Sequence, residues 1–371
     1  MYEQISEHTL YLMFYAGVTV LNLIACCYLL FRRANAIAPD VTSPVRLRRW
    51  TAAFFAASAL SHLWNLPMYF LTSSDDVMLS YLVGGLLDCM TIGPLAIVVL
   101  LTMLQDRRRP LWPVAITIAP FVLIMAWCVA SRSDALLPAL YVYFPLFGIG
   151  LIIYMVRAVK QYGRWLRDNY ADLEQKEVWQ SFVVLAFILL SLSIYTYTTE
   201  GLVLECVIQL ADVVLVCYLL WRVETLSELI VSQEQDLPAD LDHPDMDESD
   251  ENQIDYTDNI EPLLQQYCID AQLYLQHDLT LPQLAQAIGS NRFYLSKYFS
   301  NKGMNYNTYI NDLRINHFVS LYREAVAAHR FFTIQELANA SGYRSYSTFN
   351  LAFKQRMGHA VNIWAKLQKS Q

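Results

Sequence analysis

The sequence is poor in charged residues: only 16% of its 371 residues are Asp, Glu, Lys or Arg, whereas 55% are hydrophobic. This balance is unusual for a water-soluble chain of this length and is typical of an integral membrane protein. Lysine and arginine are missing between Arg222 and Arg292, a stretch that holds 16 acidic residues. The residues after 288 hold 11 lysines and arginines against three acidic residues, so the chain has an apolar, an acidic and a basic part.

The seven cysteines have no spacing typical of metal ligands or of a redox pair, and Cys268 stands apart from the six that lie in apolar runs. We therefore expect no disulfide framework, no metal site and no cofactor. The sequence has no nucleophile with a matched base, so we do not expect an enzyme. The N-terminus has no Lys or Arg and its first apolar run is too long for a cleaved signal peptide, so we expect this run to stay in the membrane.

Long apolar runs dominate the first 222 residues. A helix needs about 20 apolar residues to cross the hydrocarbon core, because its backbone groups must pair within the helix. Seven segments qualify: 9–31, 50–72, 78–104, 111–130, 136–156, 180–199 and 202–221. The sequence thus predicts an all-α protein in which residues 1–222 form a seven-helix transmembrane bundle.

The loops between these spans differ in charge. The loops 32–49, 105–110 and 157–179 hold 13 lysines and arginines, whereas the alternate loops hold only Arg132. Positive loops face the cytoplasm, so we expect the N-terminus outside and every residue after 222 in the cytoplasm. The short outer segments leave no room for a folded extracellular sensor domain.

Six polar residues fall within the predicted spans and form a candidate ligand site: His62, Asn65, Asp88, Glu205, Gln209 and Asp212. The last three share one helical stripe because they are spaced by four and three residues. One interpretation is a pocket for a small molecule or ion, or a switch set by carboxylate protonation. The other is hydrogen bonding between helices that holds the bundle together. Both stay open at this point, and proton-driven transport is a third.

Residues 223–259 are rich in Asp, Glu and Pro with few apolar residues. Such a segment cannot offset its conformational entropy by forming a core, which predicts a flexible acidic linker. This linker would let the basic tail extend away from the membrane. Alternatively, its acidic residues would compete with nucleic acid for the tail.

Two similar stretches follow in residues 260–371, at an interval of about 53 residues. The first is TLPQLAQAIGSNRFYLSKYFSNKG from Thr280 and the second is TIQELANASGYRSYSTFNLAFKQRMG from Thr333. Each begins with Thr followed three residues later by Gln or Glu, which predicts a capping box, and each has a glycine at the same offset, where a turn is expected. We interpret each stretch as helix, turn, helix, with Leu295 and Phe299 or Phe349 and Phe353 buried.

The residues between the two stretches have helix-like apolar spacing without Gly or Pro, which predicts a rigid connecting helix. Two recognition helices about 34 Å apart would fit successive major-groove turns on one face of a DNA duplex.

With these motifs, residues 263–367 resemble the C-terminal domain of the AraC family of bacterial transcription regulators, which has two helix-turn-helix units joined by a linker helix. The stretch IQELANASGYRSYSTFNLAFKQRMG is similar to the second-unit signature of that family. The resemblance implies that the first recognition helix presents Asn291, Arg292, Tyr294 and Lys297. It implies that the second presents Arg344, Ser345, Tyr346, Ser347 and Asn350, while Lys354 and Arg356 bind phosphate.

We therefore expect a regulator in the bacterial cytoplasmic membrane, whose transmembrane bundle senses a small-molecule or protein signal and controls DNA occupancy. The expected partners are double-stranded DNA, the lipid bilayer, a second copy of the chain and RNA polymerase. The alternative is a transporter or channel with a regulatory DNA-binding tail.

Overall fold

The computed structural model describes residues 2–32, 34–39, 41–186, 201–229 and 260–369, and these residues are helical with no strand. The predicted all-α class is confirmed. The chain divides into two compact units: unit 1 is Met1–Tyr162 with Val178–Leu229, and unit 2 is Gly163–Glu177 with Ile230–Gln371.

Unit 1 is built from long apolar helices. They are α1 (Tyr2–Phe31), α2 (Val45–Asn65), α3 (Ser74–Met90), α4 (Ile92–Met103), α5 (Trp112–Ser131), α6 (Leu137–Asn169) and α7 (Leu202–Thr225). The chain is helical again over 179–186, and the last residues of α6, from Gly163, belong to unit 2.

Five of the described stretches are long and apolar enough to cross a membrane: Thr9–Phe31, Ser74–Met103, Trp112–Ser131, Leu137–Asn169 and Leu202–Thr225. They coincide with five of the seven predicted spans. The predicted span 50–72 is not among them, because α2 ends at Asn65 and its arginines and His62 lower its hydropathy. Most of the predicted span 180–199 lies outside the described residues.

The third predicted span is interrupted at Thr91, which separates α3 from α4 and has φ −120° and ψ −67°. Pro94 lies in the first turn of α4. Its ring has no N–H and collides with the carbonyl four residues earlier in a continuous helix, which accounts for the break.

The last turn of α7 and the residues that follow it pack within unit 1. The fully buried side chain of Glu224 forms an ion pair with Arg48, and the Asn35 amide donates to the Glu224 carbonyl at 2.6 Å. The backbone N–H of Leu229 donates to the Gln105 side chain at 3.1 Å. Residues 223–229, the start of the predicted acidic linker, therefore lie with the helical bundle, and the rest of that linker is outside the described residues.

Unit 2 contains the two predicted helix-turn-helix stretches. Its helices are α8 (Ile260–Leu264, continued by a π-helical turn at Gln265–Asp270), α9 (Leu281–Ala287), α10 (Arg292–Asn301), α11 (Tyr306–Ala327), α12 (Ile334–Ala340), α13 (Tyr346–Met357) and α14 (Val361–Lys369). The long α11 is the predicted connecting helix.

Two hydrophobic clusters form the interior of unit 2. The first lies around α9 and α10 and is largely aliphatic, with Leu279, Leu284 and Leu295 each 0% exposed. The second lies around α12 and α13 and is aromatic, with Phe318, Phe349 and Phe353 each 0% exposed. The predicted burial of Leu295, Phe299, Phe349 and Phe353 is confirmed.

Candidate nucleic-acid interface and helix-bundle cavity

Both helix-turn-helix units begin with the predicted capping box. The Thr280 hydroxyl accepts from the backbone N–H of Gln283, and the Gln283 side chain accepts from the backbone N–H of Thr280. Thr333 and Glu336 make the same reciprocal contacts at the start of α12. Because each box satisfies two otherwise unpaired N–H groups, the first helix of each unit starts at a fixed residue.

The turns of the two units have the same backbone geometry. In the first unit Ser290 N–H donates to the Ala285 carbonyl at 2.9 Å, and in the second unit Tyr343 N–H donates to the Ala338 carbonyl at 3.2 Å. The glycine before each donor has a positive φ, 70° at Gly289 and 89° at Gly342. This left-handed conformation disfavours any other residue and directs the following helix away from the first.

Two of the residues predicted to contact DNA also cap the recognition helices. The Asn291 side chain accepts from the backbone N–H of Tyr294 at 3.0 Å, at the start of α10. The Ser345 hydroxyl accepts from the backbone N–H of Thr348 at 3.2 Å, at the start of α13. Asn291 and Ser345 therefore each cap a helix, in addition to the DNA contact predicted for them.

The other predicted DNA contacts lie along α10 and α13 or, in the case of Arg344, in the turn just before α13, and they differ in exposure. The exposed ones are Arg344, Ser347, Lys354 and Arg356, and the half-buried ones are Arg292, Tyr294, Lys297, Tyr346 and Asn350. Tyr294 packs against the first cluster and Tyr346 against the second, so each tyrosine also anchors its helix.

Two of the predicted cationic contacts are engaged within the domain. A guanidinium nitrogen of Arg344 lies 3.7 Å from the Asp278 carboxylate. Arg356 pairs with Asp312 at 2.5 Å and donates to the Asn316 side chain at 3.3 Å, which links α13 to α11.

Arg314, a buried residue near the centre of α11, was not predicted from the sequence to have a role. This side chain is 1% exposed and donates to the carbonyls of Tyr274 at 2.7 Å and Gln276 at 2.8 Å. Its guanidinium also lies 5.5 Å from the centre of the Tyr343 ring. One buried cation thus joins residues before the first unit to the turn of the second, and burial lowers the pKa of Arg314. In the sequence, Arg314 lies four residues from both Ile310 and Phe318. This spacing puts it on the buried face of α11 and could have predicted its burial.

Unit 1 contains a cavity of about 510 Å³ among its helices. Five of the six residues predicted as a ligand site line it: His62, Asn65, Asp88, Gln209 and Asp212. Glu205 is not among the lining residues. The helical stripe on α7 therefore brings Gln209 and Asp212, but not Glu205, to the same cavity as the residues of α2 and α3.

The polar groups of this cavity bond to one another between helices. Asp88 accepts from the Trp64 indole at 3.0 Å and from the Asn65 amide at 3.1 Å. Asp212 accepts from the Asn22 amide at 2.8 Å. The cavity lining thus also holds the helices together, so the two interpretations of these residues are compatible.

The remaining pair, His62 and Gln209, joins α2 to α7 across 2.9 Å, and the second His62 ring nitrogen lies 2.8 Å from the Ser58 carbonyl. No group of three or more metal-ligating side chains occurs among the residues that the structure describes.

Comparison with known proteins gives one match. Residues 284–366 match a family model described as a helix-turn-helix domain. Neither the comparison with curated proteins nor that with solved structures gave a match. The match runs from within α9 to within α14 and thus includes the turn and the recognition helix of both units. The match supports a helix-turn-helix domain of the AraC type at residues 284–366 and, with it, a DNA-binding role in transcription regulation.

Proposed function

We propose that this chain is a membrane-bound, sequence-specific transcription regulator, in which a transmembrane bundle senses a signal and controls how firmly unit 2 occupies DNA. The observation that carries the proposal is the presence, in one chain, of an AraC-type domain at 284–366 and five helices long and apolar enough to cross a membrane. The excess of arginine and lysine in alternate loops supports a cytoplasmic position for that domain.

The DNA contacts in this proposal come from α10 and α13. Arg292 and Arg344 reach guanine edges or phosphate, and Lys297 and Lys354 supply salt-dependent affinity for phosphate. The exposed polar residues at the start of α13 read base edges in the major groove. A homodimer would bind paired half-sites and act on RNA polymerase.

The sensing site in this proposal is the unit 1 cavity. It has apolar walls and two carboxylates, Asp88 and Asp212, which suits a small molecule held by a few placed polar groups. Ligand binding would change the hydrogen bonds that join the helices at Asp88, Asp212 and His62.

The test combines membrane fractionation with chromatin precipitation of the tagged full-length chain. We expect the protein to sediment with membranes and to enrich discrete chromosomal sites. The matched variant is the double substitution Arg292→Ala with Arg344→Ala, which should remain in the membrane and lose the enrichment, because base and phosphate contacts are removed from both units. Equal enrichment by the variant would contradict the assigned DNA contacts, and a soluble wild-type protein would contradict the membrane assignment.

A further inference from the structure

The segment that follows α6 is built into the DNA-binding unit. The backbone N–H of Ala171 donates to the Leu279 carbonyl at 3.2 Å, and Tyr170 forms an isolated antiparallel bridge with Thr280. The Asn307 amide donates to the carbonyls of Tyr170 at 3.2 Å and Ala171 at 2.7 Å. Ala171 is 1% exposed and belongs to the first hydrophobic cluster. These contacts fix the segment against the start of the first helix-turn-helix unit.

An ion pair fixes the other end of the segment. Lys176, whose side chain is 9% exposed, lies 2.9 Å from the Asp278 carboxylate. Burial favours the neutral carboxyl of Asp278, but the charge and hydrogen bond of Lys176, with Arg344 and His277, outweigh it and lower the pKa of Asp278. Asp278 therefore stays charged between two cations, one from the segment and one, Arg344, from the proposed DNA interface.

Between these two anchors, Glu174 reaches the second recognition helix. Its carboxylate accepts from the Thr348 hydroxyl at 2.8 Å and lies 3.5 Å from the Ser347 hydroxyl. Both hydroxyls are in the first turn of α13, the positive end of that helix dipole. Hydroxyls and backbone N–H groups at such a position are the groups that hold DNA phosphates or read base edges.

A carboxylate and a DNA phosphate cannot share this position. The two anions repel each other, and Ser347 and Thr348 cannot donate their hydroxyl protons to Glu174 and to DNA at once. Resting on the DNA-binding function proposed above, we propose that the segment 170–177 is an intramolecular competitor for DNA, with Glu174 occupying the DNA-contacting turn of the second recognition helix.

The position of the segment 170–177 in the chain suggests how a signal would control its competition with DNA. It begins directly after α6 (Leu137–Asn169), one of the five stretches apolar enough to cross a membrane. A signal that shifts or turns the end of α6 would therefore pull on the anchors at Tyr170 and Ala171 and release Glu174 from α13.

The test uses the full-length chain in detergent micelles and a fluorescent random-sequence duplex of about 40 base pairs, long enough for successive major-groove turns of about 10 base pairs. Binding is measured by fluorescence anisotropy. We expect Glu174→Gln to tighten binding by roughly tenfold, the factor that one hydrogen bond to a charged group contributes to an equilibrium. The matched control is Glu324→Gln, which removes the same charge from an exposed site on α11, where the carboxylate accepts from Ser320 of the same helix. This control should change the affinity by less than about twofold.

A double-mutant cycle separates direct competition from a general effect of charge. Thr348→Val removes the closer donor to Glu174, so in that background we expect a smaller gain from Glu174→Gln, because only charge repulsion and the longer Ser347 contact remain. An undiminished gain in the Thr348→Val background, or equal affinities of wild type and Glu174→Gln, would overturn the inference while leaving the DNA-binding function intact. Failure of every variant and of the wild type to bind the duplex would overturn the proposed function and this inference with it.

Discussion

The two helix-turn-helix units have the same backbone conformation but differ in the side chains and segments that pack around it. Capping boxes, the turn hydrogen bond and a capped recognition helix recur in both. The first unit has a largely aliphatic core, and a Cβ atom added at its turn glycine, Gly289, would meet no atom within 4 Å. The second unit has an aromatic core, and a Cβ atom at Gly342 would lie 2.9 Å from the Leu275 backbone. A repeated local motif can therefore fold identically in two different environments, one open and one tightly packed.

The largest expected effect concerns the aromatic core. The centre of the Phe349 ring lies 4.6 Å from the ring centre of Phe318, 5.3 Å from that of Tyr343 and 5.6 Å from that of Phe353. We expect Phe349→Ala to lower the local unfolding free energy of the second unit by about 4 kcal/mol, because it removes a buried ring and leaves a cavity.

Native-state hydrogen exchange of amides in α12 and α13, measured by mass spectrometry on the full-length chain, checks this value. Leu295→Ala is the matched variant in the first unit, and it should act mainly on α9 and α10. Equal loss of protection in both units after either substitution would show that the two cores unfold as one.

The turn glycines allow the most direct test of the comparison. We expect Gly342→Ala to cost about 3 kcal/mol, because a methyl group there meets the Leu275 backbone in addition to the strain of a positive φ. Gly289→Ala should cost only about 1 kcal/mol, because the space around it is open. The same exchange measurement on the two variants checks the difference, and a similar cost at both sites would contradict the close approach at Gly342.

The smallest effect concerns pH. The pKa of Asp278 is lowered by Lys176 and Arg344 despite burial, so its charged form stabilises unit 2 at neutral pH. This contribution is present above the ordinary aspartate pKa of about 3.9 and is lost as the pH falls through the lower folded value. Since the Asp278 side chain is 45% exposed, we expect only a fraction of a kcal/mol, about the value of an exposed ion pair.

Urea denaturation at a series of pH values measures this contribution, with Asp278→Asn as the variant. The variant should show a smaller loss of stability between pH 5 and 2, and curves of identical shape for variant and wild type would argue against a charged Asp278.

Local features could be predicted from the sequence. Thr280 with Gln283 and Thr333 with Glu336 form their boxes within four residues, and the glycines at 289 and 342 follow from the turn that each unit requires. The burial of Phe349 and Phe353 follows from helical spacing on one face.

Contacts between residues distant in the sequence could not be predicted in this way. Nothing in the local pattern pairs Glu174 with Thr348 or Arg314 with the Tyr274 carbonyl, because these contacts depend on how separate segments pack. The helical stripe on α7 places Gln209 and Asp212 at one cavity, but the extent of that cavity along the helix, which stops short of Glu205, depends on the neighbouring helices.

The burial of Ala171 determines which fragment of the chain contains a complete unit 2 interior. A fragment that starts near residue 260 contains both helix-turn-helix units but lacks an alanine that fills their interior and the backbone groups that bind Asn307. Such an excised tail would carry a hole at the base of α9 and would also be freed of Glu174. Experiments that graft the tail as a self-sufficient module would therefore report a less stable and more permissive DNA binder than the full-length chain, and such grafts should carry residues 163–177 with them.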